Sequence, residues 1–128
     1  MSNREIPMIE AYWEEVGGTL IKEFPVVPRG ENHGPRWIDA VIIPSQSKRI
    51  ASWRDVQMDG EDVIVVQAKA KRLGMSLMGQ AFFSAQLLKR KLNPASIAIV
   101  AICNQDDSVL RSLAEAQGIK VVVLQEND

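Results

Sequence analysis

The sequence has few of the features that mark several common protein classes. It contains one cysteine, Cys103, so no internal disulfide can form, and we expect a reducing, cytoplasmic compartment. Its longest apolar run, Ile97–Cys103, is far shorter than the ~18 residues that a membrane span requires. Zinc-ligand spacings, phosphate-binding glycine loops and nucleophile elbows are absent from the sequence. These absences argue against a membrane protein, a disulfide-rich protein and several common enzyme classes.

Net charge is also small, −1 over 128 residues, but the charges are unevenly distributed. No acidic residue lies between Asp62 and Asp106. A basic segment in a near-neutral chain is typical of a surface that binds a polyanion, although solvated helix ends carry similar runs. Six basic residues occupy this segment: Lys69, Lys71, Arg72, Lys89, Arg90 and Lys91.

Composition and periodicity predict one α/β domain over residues 1–128. The chain is 46% hydrophobic and 24% charged, which is typical of a globular protein. Alternating and helical patterns predict the order α-β-β-β-α-β-α-β, with residues 45–61 as a loop or short hairpin arm. This order predicts a mixed central sheet flanked by helices on both faces. The predicted elements are helix 7–16, strands 19–24, 37–43 and 62–70, helix 76–92, strand 97–103, a helix capped by Asp106 or Asp107 and ending near 117, and strand 120–124.

Polar residues interrupt the apolar pattern at three places. Asp39 shares a strand face with apolar residues, which is costly for a carboxylate unless it is hydrogen-bonded, paired or bound to a metal. Gln67 and Lys69 lie on one face at the end of the next buried strand. Glu10 lies beside the apolar stripe of the first helix, with Glu14 one turn later as the fallback. The ordinary alternatives are that Asp39 caps a turn, that Lys69 extends into water and that Glu10 faces solvent.

These exceptions together resemble the motif of the PD-(D/E)XK nuclease superfamily, which has the restriction-endonuclease-like fold. The resemblance covers about residues 6–103 and follows the αβββαβ order of that fold, with a C-terminal αβ extension. In size the chain is similar to the small resolvase-like and VRR-type nucleases. The matching residues are Glu10 on a helix, Arg36-Trp37-Ile38-Asp39-Ala40 and Val65-Val66-Gln67-Ala68-Lys69 on strands, and Gln80 on the following helix.

The chain departs from the family pattern at two positions. No proline precedes Asp39, which is a common variation. Gln67 stands where the family usually has Asp or Glu, which removes one charge from the expected metal site. A non-catalytic module that binds nucleic acid or protein through the same fold, with a degenerate site, is therefore the alternative. An unrelated α/β regulatory or interaction domain is a third reading.

The resemblance implies a Mg²⁺-dependent endodeoxyribonuclease, with Mn²⁺ as a substitute ion. Asp39, Gln67, the Ala68 carbonyl and Glu10 would bind the metal, and Lys69 would complete the catalytic set. DNA, branched or single-stranded, is the expected partner, and a homodimer is a further expectation because so small a chain cannot surround a duplex. The residues expected to contact nucleic acid are Arg36, His33, Lys71, Arg72 and Gln80.

Overall fold

A computed structural model describes residues 3–125, so the ends of the domain expected over residues 1–128 lie outside the described residues. Its helices and strands follow the predicted order, with boundaries that differ by a few residues. The elements are α1 (Glu5–Val16), β1 (Thr19–Val27), β2 (Arg36–Ile43), β3 (Arg49–Ile50), β4 (Asp62–Ala68), α2 (Met75–Lys91), β5 (Ser96–Cys103), α3 (Ser108–Ala116) and β6 (Ile119–Val123).

The strands form one mixed sheet in the order β3-β1-β2-β4-β5-β6. The β1–β2 and β2–β4 pairs are antiparallel, whereas β4–β5 and β5–β6 are parallel. This arrangement confirms the predicted α/β fold with an αβββαβ order and a C-terminal αβ unit. The segment 45–61 is not wholly a loop, because it contributes β3, parallel to β1, and a 3-10 turn at Trp53–Asp55.

Helices cover both faces of the sheet, which explains why β4 is apolar along almost its whole length. Val66 and Ala68 of β4 belong to the core cluster that includes Ile9 and Trp13 of α1. Val63 and Val65, which alternate with them, belong to the cluster that includes Ala85 and Leu88 of α2. Helix α3 joins α2 on the second face, where Ala114 packs with Ala81 and Cys103. Cys103 is a free cysteine buried in this core.

The start of α3 follows from its capping residue. The carboxylate of Asp107 accepts hydrogen bonds from the amides of Val109 and Leu110, at 3.1 and 3.0 Å. This side chain satisfies amides that a helix start leaves without partners, and it selects Asp107 from the two predicted caps. Within residues 3–125 no helix combines the length and the apolar character needed to cross a bilayer.

The sheet opens at one end, between β2 and β4. The antiparallel ladder joins Ala40–Ile42 to Ile64–Val66, and the neighbouring parallel ladder continues along β4 to Ala68, opposite Ile102. Beyond the β2–β4 ladder lies a cavity of about 590 Å³, with residues of β2 and β4 on one side and α2 on the other.

Candidate functional site

The cavity brings together six of the residues expected at the site. It is lined by Arg36 and Asp39 of β2, by Gln67 and Ala68 of β4 and the adjacent Lys69, and by Gln80 of α2. Asp39, Gln67 and Lys69 lie on the sheet face that α2 covers, because alternate residues of a strand share a face. The strand that is continuous and apolar elsewhere thus ends in polar groups where the cavity begins.

Where the β2–β4 ladder stops, the side chain of Asp39 accepts the next hydrogen bond from the β4 backbone. Its Oδ2 accepts a hydrogen bond from the amide of Ala68 at 3.0 Å. The second carboxylate oxygen is left for another interaction. Because the N–H and C=O of one residue in an extended strand point to the same side, the Ala68 carbonyl also points toward the β2 side. Asp39 and the Ala68 carbonyl therefore offer oxygen atoms to the same region.

A second carboxylate reaches this region from the other face of the sheet. Glu5, at the start of α1, is only 6% exposed, and its Oε2 accepts a hydrogen bond from the amide of Ala70 at 3.1 Å. The intervening Lys69 amide donates instead to Ile102 of β5, at 2.9 Å. Amides two residues apart in an extended segment point the same way, so Asp39 and Glu5 are held on one side of the chain after β4.

Burial and nearby charges act on the pKa of Asp39. Burial raises the pKa of Asp39 above its ordinary value, and the charge of Glu5 raises it further. The Ala68 amide and the Lys69 ammonium act in the opposite direction without cancelling the rise. Burial is thus the main reason that the ionised form of Asp39 is disfavoured.

Gln67 is held by α2 in a defined orientation. The side chain is 4% exposed, and its Nε2 donates a hydrogen bond to Oγ of Ser84 at 2.7 Å. With the nitrogen bound to Ser84, the oxygen Oε1 is the group that the Gln67 amide offers to the cavity. A neutral oxygen therefore stands where the resembling family usually has a carboxylate. Ser84 was not expected from the sequence, since a serine inside an amphipathic helix carries no distinctive signal.

The oxygen donors fit a hard divalent cation that keeps part of its water shell. Asp39 and Glu5 would supply carboxylate oxygens, and Gln67 and Ala68 would supply neutral ones, a set that would suit Mg²⁺ better than a soft metal. Within residues 3–125 no group of three or more His, Cys, Asp or Glu side chains is arranged to hold a metal. Two carboxylates with neutral oxygens predict weak binding that substrate phosphate oxygens would strengthen.

Glu10 is not at this site, contrary to the expectation. Its carboxylate is paired with Lys22 at 3.6 Å, and Glu14, the fallback, is paired with Lys48 at 2.7 Å. Glu5 and Glu10 are five positions apart in the helix, which is about 7.5 Å along the axis. Glu5 occupies the place on α1 that we expected for Glu10. The missed signal is that Glu5 begins the buried helical stripe that continues through Met8, Ile9 and Tyr12.

Three expected nucleic-acid contacts lie outside the cavity lining. His33 is exposed in the loop between β1 and β2, with Nδ1 3.3 Å from the Gly34 carbonyl oxygen and its ring against Gly30. Lys71 and Arg72 follow Lys69 with exposed side chains, and their backbones lie beside the residues that follow β5. Both residues follow the cavity end of β4 and have exposed side chains, so they remain candidates for contacts with a longer ligand.

Large apolar side chains that the motif does not include also line the cavity. Trp37, Met75 and Phe83 are 57%, 76% and 63% exposed. Trp37 lies two residues before Asp39 on the same face of β2, whereas Met75 and Phe83 belong to α2. The signal available in the sequence was that Trp37 shares a strand face with Asp39.

Comparison of the chain with protein-family models, with curated proteins and with solved structures gives no match. A functional proposal therefore depends on the motif and on the geometry of the cavity. That geometry consists of two carboxylates, two neutral oxygens and one exposed lysine at the open end of a mixed sheet.

Proposed function

We propose that the protein is a metal-dependent nuclease that hydrolyses phosphodiester bonds in DNA. The observation that carries the proposal is the convergence of Asp39 and Glu5 on the amides of Ala68 and Ala70, next to Lys69. This arrangement keeps the order and element types of the PD-(D/E)XK motif, with Glu5 in place of Glu10 as the acid from the first helix. The superfamily assignment is part of the same proposal.

The residues have separable roles in this reaction. Asp39, Glu5, the Gln67 oxygen and the Ala68 carbonyl would hold the cation. A bound Mg²⁺ or Mn²⁺ ion would supply Lewis-acid chemistry there, activating water and offsetting negative charge on the phosphate. The Lys69 ammonium, on the same face two residues beyond Gln67, stabilises the charge that develops on the phosphate oxygens. Arg36 and Gln80, on opposite walls of the cavity, bind the flanking backbone of the DNA.

Outside the cavity, Lys71 and Arg72 extend the positive surface for a longer strand, and His33 is the most distant of the proposed contacts. We also propose a cytoplasmic location, which a sequence with a single cysteine supports because no internal disulfide can form. A homodimer, which would enlarge the surface available to DNA, belongs to the same hypothesis.

The test is cleavage of linear, circular, single-stranded and branched DNA with Mg²⁺ or Mn²⁺. Wild-type protein should cut at least one of these substrates, and Asp39→Asn and Lys69→Ala should each reduce the rate by about 10²-fold or more. Asn at position 39 keeps an oxygen that accepts the Ala68 hydrogen bond, so the loss would not come from unfolding. Asp62→Asn, at the other end of β4, and Lys120→Ala, on β6, are matched controls and should keep wild-type activity.

A non-catalytic binding module is the second candidate, and the Gln67–Ser84 hydrogen bond favours it, because a satisfied neutral amide replaces the usual acid. It predicts salt-dependent DNA binding that does not need Mg²⁺ and that survives Asp39→Asn. Such binding, without cleavage of any substrate under either metal, would replace the nuclease proposal with this one. Equal cleavage by wild type and Asp39→Asn would contradict the proposed site.

A further inference from the structure

The rim of the cavity presents flat apolar groups to solvent. Trp37 on β2 and Phe83 on α2 are each more than half exposed, and both line the cavity that contains Asp39 and Lys69. The rings of Phe82 and Phe83 pack edge to face, with centroids 5.3 Å apart and an interplanar angle of 87°. Exposed aromatic residues beside charged groups are what stacking surfaces for bases require.

A glycine on the α2 wall keeps the space between these groups open. Gly79 lies inside α2 and lines the cavity, yet a Cβ atom built on it would meet no atom within 4 Å. Its backbone is not in the left-handed region, since the described glycines with positive φ are Gly17, Gly18, Gly60 and Gly118. Neither packing nor backbone conformation therefore requires glycine here, although glycine weakens a helix interior. The missing side chain leaves open space at this point of the cavity wall.

The charged groups around this space suit a phosphate backbone. Arg36 lies on the β2 wall and Lys69 at the end of β4, and the acids that line the cavity within residues 3–125 are Glu5 and Asp39. Both of those carboxylates are bound to backbone amides of the Ala68–Ala70 segment. A ligand with flat apolar groups and a regular negative backbone would satisfy both the rim and the cations, and a nucleic-acid strand has this chemistry.

We propose that the cavity takes an unpaired DNA strand, with bases stacked on Trp37 and Phe83 and the backbone passing over Gly79 toward Lys69. The inference rests on the proposed function, because it names the substrate class of the same site. In a duplex the base faces are covered by neighbouring base pairs, and only the edges are open to a protein. Stacking on Trp37 and Phe83 therefore favours single-stranded segments, such as tails and flaps, over continuous duplex.

The first experiment measures binding without catalysis. Fluorescence anisotropy in EDTA compares a labelled oligothymidylate of about 12 nucleotides, within the length that such grooves bind, with a duplex of equal length. Wild type should bind the single strand more tightly. Trp37→Ala and Phe83→Ala should each raise the Kd for the single strand by about 5- to 150-fold, the equivalent of one lost stacked base, and change duplex binding by about twofold at most.

Trp53→Ala is the matched control, because Trp53 is 38% exposed but lies in the 3-10 turn and does not line this cavity. It should bind both DNA forms as wild type does. Gly79→Leu should weaken single-strand binding while leaving the melting temperature at or above that of wild type, since leucine is favoured over glycine inside a helix and its Cβ meets no atom within 4 Å. Tryptophan fluorescence in a Trp53→Phe background should be quenched by the oligothymidylate, and this quenching should disappear when Trp37 is replaced by Phe.

The results separate this inference from the proposed nuclease activity. If Trp37→Ala and Phe83→Ala bind the single strand as wild type does, or if Trp53→Ala loses as much affinity, the stacking proposal is wrong even where Mg²⁺-dependent cleavage is found. If single-strand binding depends on Trp37 and Phe83 but no DNA is cut, the substrate class stands and the nuclease proposal fails. Equal losses for single strand and duplex would contradict the preference for unpaired DNA.

Discussion

The two ends of the β2–β4 strand pair differ in burial and in hydrogen bonding. At one end Val41, Ile42 and Val65 are fully buried and the antiparallel ladder is complete. At the other end the ladder stops after Ala40 and Val66, and the Asp39 carboxylate receives the next β4 hydrogen bond. The first end stabilises the fold through packing, whereas the second keeps polar groups near the core at an electrostatic cost.

The difference shows how a sheet can hold polar groups at one end while the other end stabilises the fold. Residues at the paired end have neighbours on both faces, so small substitutions there should lower the free energy of unfolding. Residues at the open end have a cavity on one side, so conservative substitutions there should change ligand affinity and reaction rate more than folding stability. The predictions below test this division, in order of decreasing effect.

Ile42→Ala should lower the free energy of unfolding by about 2–5 kcal/mol, because Ile42 is 0% exposed and its removal leaves a cavity against α1. Urea unfolding followed by circular dichroism measures this change. Any cleavage activity of the folded fraction should remain. A loss below about 1 kcal/mol would show that the paired end is not tightly packed.

Glu5→Gln should raise the Mg²⁺ concentration needed for half-maximal activity by about tenfold or more, because it removes one of the two carboxylates near the site. Glutamine keeps an oxygen for the Ala70 amide, so folding should be preserved. Glu10→Gln is the matched control and should change the Mg²⁺ dependence by about twofold at most, since it disturbs only a surface pair with Lys22. Equal effects of the two substitutions would place the acid of α1 elsewhere.

Asp39→Asn should raise the melting temperature at neutral pH. The pKa of Asp39 is raised in the folded protein, mainly by burial and then by Glu5, so its ionised form is disfavoured there. Protonated Asp39 is compatible with the fold, so its contribution to stability is fully present below its unfolded pKa. That contribution is lost as the pH rises through the higher folded pKa and the carboxylate ionises. Thermal melts between pH 4 and pH 8 should show the advantage of Asp39→Asn shrinking as the pH falls.

Two outcomes of that pH series would count against the argument. One is a lower melting temperature of Asp39→Asn at neutral pH. The other is a similar pH trend in Asp62→Asn, an exposed carboxylate at the far end of β4. With Mg²⁺ bound, wild type should melt at a higher temperature than Asp39→Asn at neutral pH, because the ion stabilises the ionised carboxylate and binds only the folded state.

Gly79→Ala should stabilise the protein by about 0.5–1 kcal/mol, because alanine is favoured inside helices and the added methyl group meets no atom within 4 Å. Gly118→Ala is the opposite control. Gly118 has a φ of +76°, which alanine adopts only with strain, so that variant should be less stable. Thermal or urea unfolding of the two variants distinguishes these signs.

Much of the fold could be predicted from local patterns. Periodicity located each major helix and strand because apolar spacing differs between a helix and a strand. Strand β3 was missed because two exposed residues carry no periodicity, and its pairing with β1 depends on distant parts of the chain. At the site, Asp39, Gln67 and Lys69 were found because polar residues inside apolar strands are conspicuous.

The remaining parts of the site depend on how the elements pack. The acid on α1 is Glu5 and not Glu10 because the helix docks on the sheet with its first turn beside the end of β4, a translation that no local pattern specifies. The same holds for the Gln67–Ser84 hydrogen bond, which joins residues 17 positions apart. The order of elements and the polar exceptions were thus determined by the sequence, through local spacing. Only the tertiary structure decided which acids, amides and aromatic side chains face one cavity, because that depends on how helices and strands dock on one another.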